Sequence, residues 1–285
     1  MIQYSKILLL LTATLAVTLS GWQTGGPSEK IEYVATAADT SVFTEKRRLA
    51  ETDAPVANRC LSVAKSFLGA PYVTGVLDRS GREVLVINLR ELDCWTFMEN
   101  CLAISLADDG RMESMARHIR AMRYWGGVID GYGSRIHYFT GWLLQAEKSG
   151  LMKDMTQELG GKPYHKKVGY ISARPQKYPK TGDEETLRDI RNAEKRINSH
   201  QWYYIPQHEI ISMEHLIQDG DIICLTSVKQ DLDVAHQGFA VRKGNRVHLL
   251  HASSLAKKVI ISGQPLAEYV LAQPGQSGIM VARLN

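Results

Sequence analysis

Three side chains in this sequence have the chemistry of an acyl-transfer centre: Cys94, His236 and His251. A thiolate rather than a thiol attacks a carbonyl, so a nucleophilic cysteine needs a setting that favours its ionisation or removes its proton. The Leu92-Asp93-Cys94 junction provides part of this. Asp93 is a good N-cap, and Cys94 then falls in the first helical turn, where unpaired N–H groups carry partial positive charge. The Asp93 carboxylate works in the opposite direction, because an adjacent negative charge raises a thiol's pKa. A histidine is therefore needed to complete the chemistry.

The histidines lie on a hairpin. Lys243-Gly244-Asn245-Arg246 is a turn signal between two apolar strands. With Gly244-Asn245 as the loop, Lys243 faces Arg246, Gly238 faces His251 and His236 faces Ser253. Side chains alternate across a strand, so 236, 238, 251 and 253 share one face. His236 and His251 are then diagonal neighbours, roughly 7 to 8 Å apart at the backbone, which lets the imidazoles meet. One can act as base while the other fixes its tautomer. His248 falls on the opposite face. Taken singly, a cysteine or histidine of this kind is commonly a buried structural residue. The combination is more specific than its parts.

The elements that must position these residues are legible around them. Residues 54 to 68 form an amphipathic helix, with Pro55 in its first turn, Cys60, Leu61, Ala64, Phe67 and Leu68 at helical spacing, and Gly69 closing it. Residues 83 to 92 are β-branched and apolar, an extended segment leading to Asp93. A second helix runs from Asp93 towards Gly110, with Cys94, Cys101 and Ser105 on one face. Residues 111 to 205 are expected to be a mostly helical insertion, in which Thr181 and Glu184 form a capping box ahead of a charged surface helix. Within it, His165 to Lys180 is a basic loop, read as a solvated connection or as a contact for anionic glycan or lipid. The last 80 residues hold runs at 222–225, 234–242, 246–253 and 278–284, expected to form an antiparallel sheet. Helices first and strands last define an α+β domain over 54–285. Residues 22–53 are expected to be a linker or N-terminal extension with at most a short helix.

At 285 residues and 44% hydrophobic content, the chain can bury one substantial core. Its net charge of +4 lacks the dense basic patch of a nucleic-acid binder. Lys6, the uncharged run Ile7–Leu19 and the small residues Ser20 and Gly21 have the layout of a signal peptide over 1–21. The run is shorter than the roughly 20 residues that span a bilayer, so no membrane anchor is expected after its removal. No cysteine precedes Cys60, which excludes a lipidated cysteine after the signal. The expected location is periplasmic or secreted. Cys94 and Cys101 sit on one helix about 10 Å apart at 1.5 Å per residue, beyond disulfide reach. His208 and His215 lack a His-Glu-x-x-His pattern and a completing carboxylate, so no metal or other cofactor is expected.

The segments Gly69-Ala70-Pro71-Tyr72-Val73, Leu92-Asp93-Cys94-Trp95-Thr96-Phe97-Met98-Glu99, Gly220-Asp221-Ile222-Ile223, Ala235-His236-Gln237-Gly238-Phe239 and Leu250-His251-Ala252-Ser253 follow one another in a recognisable order. Together they resemble NlpC-type papain-like cell-wall cysteine hydrolases. The block Gly131-Tyr132-Gly133-Ser134-Arg135-Ile136-His137-Tyr138-Phe139-Thr140 is similar to the N-acetylmuramoyl-L-alanine amidase-like branch. Trp95 departs from the pattern, standing where a small or hydroxyl residue usually follows the nucleophile. The resemblance implies a papain-like core with the nucleophile at a helix start packed on a C-terminal antiparallel sheet. It implies that Cys94 attacks the lactyl carbonyl joined to L-alanine, that His236 protonates the departing amine and activates water, and that His251 orients His236. Tyr72 and Asp93 match positions beside the substrate groove, and Trp95 would narrow the entrance or stack on a sugar. Arg135 is placed to grip a peptide carboxylate or to pin its own loop, and Tyr138 or Trp125 to stack on sugar. The implied partners are muropeptides, acted on by a monomer. A γ-D-glutamyl-diamino acid endopeptidase and a non-catalytic cell-wall binding module are the competing readings.

Overall fold

The computed structural model describes residues 31–285 except Ser80. The expected signal segment lies outside the described residues. The helices are α1 (Ala37–Arg47), α2 (Val56–Ser66), α3 (Cys94–Leu106), α4 (Met112–Arg123), α5 (Phe139–Lys148), α6 (Glu184–Asn198), α7 (Ile210–Met213) and α8 (Leu266–Leu271). The strands are β1 (Tyr33–Val34), β2 (Leu85–Val86), β3 (Met152–Asp154), β4 (Lys162–Tyr164), β5 (Trp202–Pro206), β6 (Ile222–Ser227), β7 (Val234–Lys243), β8 (Arg246–Ser253), β9 (Lys258–Ile261) and β10 (Gln276–Leu284). The chain is thus mixed helix and sheet, an α+β fold.

The main sheet runs β4-β5-β10-β6-β7-β8-β9, with β3 also pairing β10, and every pairing in it is antiparallel. Both of its faces are covered. Ile222, Cys224, Phe239, Leu250 and Met280 point towards α3, while Ile223, Leu225, Leu249, Ile279 and Val281 join Leu266 and Val270 of α8 on the other side. This two-sided burial is why Ile222-Ile223-Cys224-Leu225 is continuously apolar instead of alternating. Helix α3 is apolar around its whole circumference, as a helix enclosed by other elements must be, and Phe97, Met98, Cys101, Leu102 and Ile104 are all 0% exposed. Its Phe97 ring stands edge-on to Phe67 beyond α2 and to Phe239 of β7, locking α3 between helix and sheet.

Three expectations need correction. The stretch expected as a linker with a short helix does hold a helix, α1, whose Thr36 and Asp39 form a capping box, but its Phe43 is 1% exposed and β1 pairs in parallel with β2, so residues 31–52 pack onto the domain instead of leading into it. The expected helical insertion also contributes β3, β4 and β5 to the main sheet. Pro163 inside β4 and Pro206 at the end of β5 weaken the strand signal, and β4 tolerates its proline because it is an edge strand. Helix α6 is capped by Asp183, which accepts from the Thr186 N–H, instead of by the expected Thr181–Glu184 box. Thr181 is 2% exposed, and its hydroxyl donates to the Pro175 and Tyr178 carbonyls.

Candidate active site

The amino end of α3 is built by a reciprocal cap. The Asp93 carboxylate accepts from the Thr96 N–H at 2.8 Å, and the Thr96 hydroxyl accepts from the Asp93 N–H at 3.0 Å. Cys94 follows as the first helical residue, and the extended backbone of Asp93 turns it away from the incoming segment. Burial, followed by the Asp93 charge, pushes the Cys94 thiol up to about 12, although the backbone N–H groups of Gln237, Cys94 and Trp95 favour its thiolate. The cap that orients the cysteine thus also opposes its ionisation.

The β7–β8 hairpin has Lys243 opposite Arg246 and Phe239 opposite Leu250, the register read from its turn. Beyond that last pair the site begins. A β-bulge interrupts β6–β7 immediately before His236, since Leu225 pairs with His236 while Thr226 pairs with Val234. Bulges of this kind re-aim side chains next to functional sites. His236 Nε2 lies 2.6 Å from His251 Nδ1, with the rings edge to face. The neighbouring position must be glycine: a Cβ on Gly238 would meet the Leu250 oxygen at 2.5 Å and the His251 Cβ at 2.8 Å. That close approach lets His251 swing in beside His236.

Gln237 ties the hairpin to the helix. Its side chain points to the opposite face from His236 and donates to the Cys94 carbonyl at 3.4 Å. Its backbone N–H acts on the Cys94 thiol, so the nucleophile candidate sits beside the His236–Gln237 peptide. Burial holds the His236 pKa down at about 4; burial and then His236 hold His251 at about 3. At neutral pH the site therefore rests as a thiol and two neutral imidazoles. His251 Nε2 is buried without a hydrogen-bond partner among the described residues, with the Tyr269 ring 5.4 Å from the imidazole.

The remaining sequence candidates divide. Tyr72 is half-buried beside Cys94 and Asp93; burial and then their charges push its phenol up to about 12. Trp95 is half-buried, packs edge-on against Phe139 at the start of α5 and supports the ionised form of Glu99. Trp125 carries Arg196 4.7 Å from its ring centre and packs against Gly141 of α5, so its ring braces α5 and α6. Arg135 is only 8% exposed; its Nε donates to Glu83 at 2.8 Å, and it also pairs with Asp78. Of the two roles expected for it, gripping a peptide carboxylate or pinning its own loop, these bonds commit the guanidinium to the protein's own carboxylates. Tyr138 is 2% exposed, its hydroxyl donating to Glu194 at 2.7 Å and accepting from the Ile171 N–H. Burial removes it as a sugar platform.

Sequence reasoning missed Gln237, although alternation along β7 assigns it to the helix-facing side once His236 is assigned to the other. It also missed the pair beneath the site, Glu99 with Arg123, at 2.8 Å and nearly fully buried. The signal was two charges inside apolar helical patterns.

A family profile described as N-acetylmuramoyl-L-alanine amidase-like matches residues 62–279. Among solved structures, an N-acetylmuramoyl-L-alanine amidase from Bacteroides uniformis is 33% identical, with a TM-score of 0.73 over 79% of this chain and 98% of that one. A Bacteroides fragilis structure provisionally named a xylanase is also 33% identical, with a TM-score of 0.73 over 79% of this chain and 100% of the other. A Legionella pneumophila protein, 20% identical with a TM-score of 0.69 over 87% of this chain and 94% of its own, shares the fold. No curated protein sequence matches the chain. With the profile spanning most of the domain, the chain belongs to the N-acetylmuramoyl-L-alanine amidase-like family.

Proposed function

We propose that this protein is a cysteine amidase that hydrolyses the bond between the lactyl group of N-acetylmuramic acid and L-alanine in peptidoglycan fragments. The observation carrying this reading is the His236–His251 pair, 2.6 Å apart, beside the peptide that contacts the Cys94 thiol, in a chain of amidase-like family. The core it implies is papain-like, with Cys94 as nucleophile.

The resting protonation sets the mechanism. A neutral thiol beside a neutral imidazole calls for general-base catalysis, in which proton transfer accompanies attack, instead of a preformed thiolate–imidazolium pair. His236 Nε2 is engaged with His251, which leaves His236 Nδ1 to take the thiol proton. His236 must then carry its own proton on Nε2 and donate it to His251 Nδ1, which puts the His251 proton on Nε2. Cys94 Sγ bonds to the lactyl carbonyl carbon, and N–H groups at the start of α3 stabilise the oxyanion. His236 returns the proton to the L-alanine nitrogen as the C–N bond breaks, leaving a muramoyl thioester. Water, deprotonated by His236, then releases the sugar acid.

Export, by the expected signal segment, would bring the enzyme to its polymer. No helix among the described residues is long and apolar enough to cross a membrane. The test is incubation with defined muropeptides, with and without the muramic sugar, and identification of products by mass. Release of the intact stem peptide from the sugar-bearing substrate alone supports the amidase. Cleavage within the peptide regardless of sugar would replace it with the γ-D-glutamyl endopeptidase, and absence of both cleavages would favour a binding module.

A further inference from the structure

The turn joining β8 to β9, residues 254–257, together with Lys258 at the start of β9, forms a basic rim on the loop that carries Tyr72. Three backbone bonds clamp the two together: Gly69 N–H to the Val259 carbonyl at 2.9 Å, Val259 N–H to the Ala70 carbonyl at 2.8 Å, and Tyr72 N–H to the Lys257 carbonyl at 2.9 Å. Lys257 Nζ stands 6.0 Å from the centre of the Tyr72 ring, and that ring is the half-buried one beside Cys94 and Asp93. Lys257 and Lys258 are both exposed, and no carboxylate pairs with either ammonium among the described residues.

Two features set this turn apart from ordinary surface lysines. Lys257 holds φ at +57°, a left-handed conformation that is strained for a lysine and that glycine adopts freely. A strained residue next to a catalytic groove points to a use for its side chain. Leu255 is 87% exposed on the same turn, so the rim presents an apolar edge with its cations. The substrate supplies the complement. In an N-acetylated muramoyl peptide the lactyl carboxyl is consumed in the amide and the sugar is uncharged, so all negative charge lies on the stem peptide. Its nearest anionic group to the scissile bond is the free α-carboxylate of the γ-linked D-glutamate, the second residue.

We propose that Lys257 and Lys258 form the subsite for this α-carboxylate and make the enzyme prefer stem peptides with D-glutamate over those carrying its α-carboxamide. The inference rests on the amidase reading above and names the peptide chemistry that reading leaves open.

The experiment compares kcat/KM for one N-acetylmuramoyl tripeptide in its α-carboxylate and α-carboxamide forms, using the wild type, Lys257→Gly and Lys257→Gly with Lys258→Gln. Exposed charge pairs are individually weak, so the expected wild-type preference for the acid is roughly 3- to 10-fold. In the double variant the ratio should collapse towards one. Lys257→Gly should at the same time keep or raise Tm, because it relieves the left-handed lysine; a purely structural lysine would lower Tm and leave the ratio alone. A wild-type ratio near one, or a ratio that survives in the double variant, overturns the subsite. Failure of the wild type to cut the muramoyl–L-alanine bond in either substrate overturns the amidase reading and the subsite together, before any variant is compared.

Discussion

The β7–β8 hairpin and the 131–138 segment both carry polar side chains that sequence alone assigns to a site, and the fold treats them in opposite ways. On the hairpin, His236 and His251 converge to 2.6 Å. In the segment, Arg135 and Tyr138 are drawn inward and satisfied by Glu83 and Glu194. The difference lies in periodicity. A strand of known register fixes the direction of every side chain, whereas an irregular segment with positive-φ glycines such as Gly131 fixes none. Residue chemistry is therefore a guide to function only where the backbone also dictates orientation.

Substitutions separate the two regions most sharply. His236→Ala removes the proposed base and should lower kcat/KM on the order of 10³-fold with the fold retained, as judged by near-ultraviolet circular dichroism. Arg135→Ala should do the reverse. It takes the guanidinium from Glu83, which is 2% exposed at its side chain and keeps only the Tyr124 hydroxyl and Lys180 at 3.6 Å, and should cost up to about 3 kcal/mol in a denaturant titration while leaving KM at permissive temperature unchanged. A large KM increase in a stably folded Arg135→Ala protein would return that residue to the substrate groove. Tyr138→Phe should lose about 1 to 3 kcal/mol, because Glu194 and the Ile171 N–H each lose a partner.

The pH dependence sharpens the same contrast. Only neutral His236 can take the thiol proton, and burial holds its pKa at about 4. The kcat/KM profile should stay flat as pH falls through the ordinary histidine range near 6.5 and decline with an acid limb near 4. A limb at 6.5 would mean a solvated histidine. Stability should follow a related course. His236 and His251 both titrate lower in the folded than in the unfolded chain, so the unfolded state gains protons first and stability is lost progressively as pH drops from about 6.5 through 4 towards 3.

The fold was legible where burial was one-sided or the turn chemistry explicit. Pro55 and Gly69 bracket α2, Asp93 opens α3, and Gly244-Asn245 sets the hairpin register, which together place Cys94 and the two histidines. It was illegible where tertiary contact overrides local pattern. The helix at 37–47 is mostly polar and is held by Phe43 and by Asp39, which reaches the Leu89 N–H 50 residues away. The strands β3 to β5 are short and gain their order from pairing with β10 and with each other, long-range information that a local window does not contain. The same limit hid the fate of Arg135, whose partner Glu83 is 52 residues distant in sequence.

The central claim is that Cys94 is the nucleophile, and Cys94→Ala tests it most directly. Turnover of an N-acetylmuramoyl peptide by this variant, followed by mass spectrometry at matched folded concentration, should fall at least about 10⁴-fold while its Tm stays within a few degrees of wild type. Stem-peptide release at the wild-type rate by folded Cys94→Ala protein would contradict the account.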